Sequence, residues 1–329
     1  MFKRPLEEVD ERLIQEAKGL AVGRKRVSVA FSGGVDSTVV VTILCRAFGA
    51  ENVLAFYRNI RSNPLHEAHV YELQELLGFN LMAVDANPIY DTIVGQAREW
   101  FQTHGYEWHN ENQPGTEESG FTNAFASLKS RITTPYMGFL AKAWDGGKGI
   151  IFGTGNAEED GLVRYFDKYG DGAVDNNILS GLTKMEVRQI ALYYAKVYGK
   201  DGKEAQIFRA IAEKLPSADL KACGDVHNDE SELTFWARTM GYDIQISYGD
   251  CEKEGNLAWA LKQDLDHGVI TGSKNHWGST GLSSYLDYTD KQIKLIAFLR
   301  KIERSTRHKA NPNMPGLSRV TLRMEGYVD

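Results

Sequence analysis

Val27-Ser28-Val29-Ala30-Phe31-Ser32-Gly33-Gly34-Val35-Asp36-Ser37 is the stretch on which the fold turns. Five residues of strand character run into two adjacent glycines with a serine before them, and residues 38–48 continue with helical patterning. A strand that ends in a glycine turn and feeds a helix is the first half of a βαβ unit. Two similar units follow, strand-like 52–57 before helix-like 66–77, and strand-like 80–84 before helix-like 89–103. Helical residues 123–144 then lead to Gly149-Ile150-Ile151-Phe152-Gly153-Thr154, a buried strand with its own glycine-rich turn. Strands alternating with helices in this way predict an α/β fold with a doubly wound parallel sheet. Further helices are expected at 184–198, 205–214 and 290–305, with an amphipathic helix at the N-terminus. Residues 104–120 are expected to form an exposed loop or lid, and 155–182 a long loop with imposed backbone geometry; 234–289 has weak periodicity.

Composition narrows the functional classes. The 329 residues are 42% hydrophobic and 25% charged, which excludes a disordered or fibrous chain. With 38 basic against 44 acidic residues, the net charge of −6 argues against tracking a nucleic acid. The apolar run Val39-Val40-Val41-Thr42-Ile43-Leu44-Cys45 falls far short of the roughly 18 residues a membrane span needs. The N-terminus mixes charge through its apolar positions, unlike a secretory signal, so a cytoplasmic location is expected. Cys45, Cys223 and Cys251 are widely spaced and form neither a disulfide framework nor a zinc pattern.

The turn at 32–37 has the chemistry of a phosphate site. Gly33 and Gly34 let backbone N–H groups approach an anion, and the following helix directs its positive end there. Ser32 and Ser37 add hydroxyl donors. Asp36 belongs beside phosphates only if a cation lies between, a role that suits Mg²⁺. At about 5–7% usage per residue type, a chance Ser-Gly-Gly-x-Asp-Ser in such a chain is on the order of one in a thousand. The loop is neither a Walker A sequence nor GxGxxG, and it contains no lysine. Its placement after the first strand resembles the pyrophosphatase loop of ATP-pyrophosphatases. That superfamily cleaves ATP between its α and β phosphates and adenylates an oxygen of the substrate.

A second cluster begins at the next strand end, Gly153-Thr154-Gly155-Asn156-Ala157-Glu158-Glu159-Asp160, where parallel sheets bind ligands. It is followed by YFDKYGDGAVD at 165–175 and LTKMEVR at 182–188. A calcium-loop reading of 167–178 fails, because Tyr169 and Ile178 occupy ligand positions. Together these segments resemble ammonia-dependent NAD synthetase, whose pattern is close to GTGNxxED, FxTKYGDGGxD and LxKxxVR. Pro216-Ser217-Ala218-Asp219-Leu220, then Asp229-Glu230, and finally Arg307-His308-Lys309 resemble later parts of the same family in the same order.

The resemblance implies a reaction and a site. Deamido-NAD and ammonia would be the substrates, ATP the co-substrate and Mg²⁺ the metal. Asp36 and Glu159 match the metal ligands; Asp36 and Lys184 match catalytic positions. Ser32, Gly33, Gly34, Val35, Asp36, Ser37, Thr154, Lys184 and Ser217 match ATP contacts. Lys129, Arg131, Lys168, Asp175, His308 and Lys309 match positions that hold deamido-NAD. Lys129 stands where the family usually has an arginine, so it supplies charge without the bidentate fork. The resemblance also implies a homodimer, and a single catalytic unit over 1–329 with variable insertions near 104–120 and 234–289. With about 26 residues before the first strand, no glutaminase domain is expected, leaving free ammonia, or ammonia supplied by a separate protein, as nitrogen donor. Three readings compete: an amide ligase for another carboxylate, a tRNA-modifying enzyme of the superfamily, and a sensor that binds ATP without catalysis.

Overall fold

The computed structural model describes residues 2–108, 120–199, 202–215, 217, 228–249, 255–271, 288–306, 309 and 318–328. Its strands are β1 (Val27–Ala30), β2 (Val53–Asn59), β3 (Asn80–Asp85), β4 (Ile151–Gly153) and β5 (Asn176–Asn177). They form one parallel sheet in the order β3-β2-β1-β4-β5. Val27 lies opposite Val53, Ser28 opposite Ile151, and Phe152 opposite Asn176. The order reverses at β1, so the chain leaves it to one side and returns to the other. That reversal opens a crevice beyond the C-terminal ends of β1 and β4, the place where doubly wound sheets bind ligands.

Helices α1 (Leu6–Leu20), α2 (Val35–Phe48), α3 (Pro64–Leu77), α4 (Asn87–Thr103) and α5 (Gly120–Trp144) belong to the first half. The second half contributes α6 (Lys184–Gly199), α7 (Lys203–Glu213), α8 (Asp229–Thr239), α9 (Leu257–His267), α10 (Asp290–Thr306) and α11 (Arg319–Met324). Val39, Val40, Val41, Ile43 and Leu44 of α2 are all fully buried, because α1, α6 and the sheet enclose this helix. Each such aliphatic side chain contributes about 1.5–3 kcal/mol of transfer free energy. Enclosure explains why the most apolar run of the chain is a central helix; among the described residues no helix is long and apolar enough to cross a membrane.

Two stretches differ from their sequence-based expectations. Residues 155–182 are not merely a loop: they hold a π-helical segment, Ala157–Val163, and the two-residue β5. The weakly periodic 234–289 holds the end of α8 and all of α9. These helices, with α10 and the π-helical segment, share an apolar cluster that includes Leu233, Ile246, Trp259, Leu295 and Phe298. Most of the loop expected at 104–120, namely 109–119, lies outside the described residues, as do Cys223 and Cys251. Cys45 is partly buried, and burial first, then the charge of Glu51, pushes its thiol up to about 12. Such a thiol stays protonated and packs as a small apolar residue against the core.

Candidate active site

β1 ends at Ala30, and residues 31–34 cross to the first turn of α2. Gly33 has φ 74°, and a Cβ there would lie 2.6 Å from the His66 carbonyl oxygen of α3, so the close approach of this helix requires glycine. Ser32 and Ser37 close the turn on itself. Their hydroxyls lie 3.1 Å apart, Ser37 Oγ donates to the Gly34 carbonyl at 3.1 Å, and Gly34 N donates to Ser32 Oγ at 3.3 Å. Asp36 stands in the first turn of α2, where the helix dipole favours a carboxylate.

Asn156 joins this loop to the second cluster. Its side-chain oxygen caps the π-helical segment by accepting from Glu158 N at 3.1 Å and Glu159 N at 3.0 Å, while its Nδ2 donates to Asp36 Oδ1 at 3.2 Å. The widened helical turn carries two consecutive glutamates with different surroundings. Glu158 is fully buried and accepts from Lys184 N at 2.5 Å, whereas Glu159 lines the cavity.

Lys184 begins α6, and Thr183 and Glu186 form a reciprocal cap before it. Thr183 N donates to Glu186 Oε2 at 2.9 Å and Glu186 N donates to Thr183 Oγ1 at 3.3 Å. From that fixed base the buried ammonium of Lys184 reaches Asp36 Oδ2 at 2.6 Å and Glu159 Oε1 at 2.5 Å. Burial opposes its charge, but Asp36, Glu159 and Asp229 outweigh burial and raise its pKa, so Lys184 is protonated. Tyr248 supports the group from below, its ring centroid 5.3 Å from Lys184 Nζ. The Tyr248 hydroxyl lies 3.1 Å from Glu159 Oε1 and 3.4 Å from Asp229 Oδ2.

These groups face a cavity of about 490 Å³. Ser32, Gly34, Val35, Asp36, Ser37, Thr154, Glu159, Lys184, Ser217 and Lys309 all line it, so residues spread over most of the chain converge on one site. Gly33 stays in the loop with its backbone against α3. Among the described residues the lining holds five carboxylates, including Asp160, Asp171 and Asp229, and five lysine or arginine side chains, including Arg58, Lys214 and Lys309. Groups of both signs suit a cavity that exchanges internal ion pairs for a polyanion and its counter-cation.

The remaining substrate-side positions are engaged elsewhere. Lys129 is fully buried within α5. Arg131 Nε donates to Asp167 Oδ1 at 3.0 Å and Oδ2 at 3.1 Å. Lys168 lies over the ring of Tyr169, with Nζ 5.8 Å from its centroid. Asp175 accepts from Ile151 N at 2.8 Å and so extends the pairing of β4. Lys309 lines the cavity yet donates to the carbonyls of Arg164 at 3.2 Å and Phe166 at 2.6 Å. His308 lies outside the described residues. Ser127, Ser130 and Thr134 of α5 also clip the 164–172 loop, bonding Asp167, Asp171 and the Tyr169 carbonyl respectively. Gly170 fits because a side chain there would collide with Ser130.

Tyr248 and the bridging role of Asn156 have no counterpart in the sequence-based list. A signal for Tyr248 exists: Tyr242, Ile244, Ile246 and Tyr248 alternate with polar residues, and the last three are buried.

Residues 16–238 match the NAD synthase family, about two thirds of the chain. The chain belongs to the NAD synthase family. It is accordingly an enzyme, a ligase, built on a doubly wound parallel α/β fold. An NH(3)-dependent NAD(+) synthetase of Methanococcoides burtonii is 29% identical over 263 residues, 79% of this chain and 87% of that protein. One of Archaeoglobus fulgidus is 30% identical, covering 65% and 74%. Among solved structures, NMN synthetase from Francisella tularensis superposes with a TM-score of 0.62 at 18% identity, covering 95% of this chain and all of that one. A glutamine-dependent NAD(+) synthetase from Cytophaga hutchinsonii gives 0.61 at 14% identity, covering 95% of this chain and 51% of that one. At such identities the two structures speak to the fold alone.

Proposed function

We propose that the protein amidates deamido-NAD with ammonia, using ATP and forming NAD, AMP and pyrophosphate. The observation that carries this reading is the Lys184 ammonium held between Asp36 and Glu159 at the mouth of the phosphate loop. A carboxylate is a poor acceptor for ammonia until an oxygen of it becomes part of a good leaving group. In the proposed first step a nicotinate oxygen attacks the α-phosphorus of ATP, and the bond to the β-phosphate bridging oxygen breaks. In the second, the nitrogen lone pair adds to the acyl carbon, AMP departs with the C–O electron pair, and the nitrogen sheds a proton.

The chain's residues have distinct parts in this scheme. Backbone N–H groups and hydroxyls of 32–37, with Thr154 and Ser217, would bind ATP. Lys184 would turn from its carboxylates toward the phosphates and offset the charge that develops as pyrophosphate leaves. Asp36 and Glu159 suit Mg²⁺, because both direct an oxygen at the single cation of Lys184, and two carboxylates completed by phosphate oxygens are a usual magnesium environment. Mg²⁺, when bound there, would supply charge neutralisation and alignment of the phosphates. Lys309 is the substrate-side residue best placed for deamido-NAD, while Lys168 lies in the 164–172 loop, Arg131 bonds it and Asp175 follows it, and Lys129 and His308 complete the proposed set.

A homodimer is part of the same proposal. Tyr90 is the only buried residue of the 17 in α4; Ile89, Ile93 and Trp100 of that helix are exposed, as is Met82 of edge strand β3. A second copy would cover this face in a cytoplasmic dimer, and sedimentation equilibrium at the monomer mass would contradict it.

The test of function is incubation with ATP, Mg²⁺, ammonium and deamido-NAD. Equal yields of AMP, pyrophosphate and NAD support the proposal; ADP formation, or ATP cleavage indifferent to deamido-NAD, refutes it.

A further inference from the structure

We propose that Arg319 is a positioning residue for the reaction, setting the place of Lys184 through Glu186. The inference rests on the reading of Lys184 as a phosphate ligand. Arg319 lies far beyond residues 16–238, in the short α11, and its guanidinium is directed into the base of α6. Its Nη1 donates to Glu186 Oε2 at 2.7 Å and to the Gly181 carbonyl at 3.3 Å, and its Nη2 donates to Glu186 Oε1 at 3.2 Å. Both side chains of the ion pair are buried, with relative exposures of 3% and 2%.

Glu186 Oε2 also caps Thr183 N, the residue before Lys184. One carboxylate therefore holds the cap of α6 and the fork of Arg319 together. Burial raises the pKa of Glu186, but the charge and hydrogen bonds of Arg319, with the Thr183 N–H, outweigh it and keep the carboxylate ionised. Without the guanidinium, a buried carboxylate would lose its counter-charge, and the cap that orients Lys184 would lose its anchor.

α11 is itself fixed to two other parts of the molecule. Glu325, at its C-terminal end, accepts from Arg12 Nε of α1 at 2.9 Å, and Arg323 Nη1 donates to Asp266 of α9 at 2.6 Å. The C-terminal segment thus bolts α1 and α9 to the one helix start that carries the catalytic lysine. Stability alone asks only that Arg319 be satisfied; the shared Glu186 oxygen makes its placement a condition of Lys184 geometry.

A double-mutant cycle on Mg·ATP affinity, read by calorimetry, separates these roles. In the native chain Arg319→Lys, which keeps the charge and loses the fork, should weaken ATP binding on the order of ten-fold, the worth of about one charge-assisted hydrogen bond. In a Lys184→Ala background the same change should weaken it less than about two-fold, since the group being positioned is gone. Glu186→Gln should follow the same pattern, and serves where an Arg319 variant does not fold. Equal losses in both backgrounds, or none in the native chain, would overturn the proposal. If Lys184→Ala leaves ATP affinity unchanged, the failure lies in the reading beneath it.

Discussion

The two ends of the cavity are built on opposite plans. At the phosphate end, Asp36, Glu159 and Lys184 come from three separate elements yet meet within 2.6 Å of one ammonium nitrogen, with few partners outside the cluster. At the substrate end, Arg131, Lys168, Asp175 and Lys309 are bound to local carboxylates, rings or backbone groups of the 151–175 region. The first end already gathers its charged groups at one point, and in the proposed reaction it need only exchange the Lys184 ion pairs for phosphate and metal. The second holds a loop in place, and its charges become available to a ligand only by giving up internal partners. On the proposed reading, charged groups are gathered where charge develops in the reaction and dispersed where a large substrate must enter.

The comparison is broken most severely at Asp36. Asp36→Ala removes a proposed metal ligand and one of the two carboxylates in contact with Lys184, and steady-state assays should show kcat lower by at least roughly 10³-fold. Residual activity within about ten-fold of the native chain would remove Asp36 from the chemistry. A smaller and different loss is expected at the other end. Lys309→Met should raise KM for deamido-NAD on the order of ten-fold and leave the KM for ATP within about two-fold, the pattern of lost ground-state binding. Equal effects on both constants would make Lys309 a general support of the fold.

How far these ends were legible beforehand differs in the same way. The β1–loop–α2 unit was readable because a short apolar strand and paired glycines encode it locally, and the structure places 32–37 as expected. Lys184 was legible by its place in an ordered set of motifs. The π-helical segment was not, since an extra residue in a turn has no distinct periodicity. Nor was β5, whose two asparagines lack any strand signature yet are buried. Tyr248 reaches Glu159 only across tertiary structure, from a stretch without regular hydrogen bonding. Lys129, expected from the resemblance on the substrate side, is fully buried in α5, a placement the sequence does not announce because a charge on a helix is visible in sequence while its face is not.

The smallest effect sharpens the contrast between the two buried glutamates that bracket Lys184. Burial, chiefly, pushes the Glu158 pKa up to about 8, against the opposing Lys184 N–H and charge. Because this folded value exceeds the unfolded one of about 4.3, the folded state keeps a proton that the unfolded state loses, so Glu158 subtracts stability increasingly as pH rises toward 8. Glu158→Gln should therefore raise Tm by roughly 2–4 °C at pH 9 and by little at pH 5. Glu186 has the opposite sign: its depressed pKa adds stability above the unfolded value that is lost as pH falls through the folded one. A Glu158→Gln gain that is independent of pH would contradict this assignment.

The central claim, that the Asp36–Lys184–Glu159 site activates a carboxylate at the α-phosphorus of ATP, is tested most directly by isotope transfer. Deamido-NAD carrying ¹⁸O in both carboxylate oxygens is turned over with ATP, Mg²⁺ and ammonium, and the products are weighed by mass spectrometry. One ¹⁸O in AMP and one in the NAD amide is the expected result. Unlabelled AMP, or label in inorganic phosphate accompanied by ADP, would contradict it.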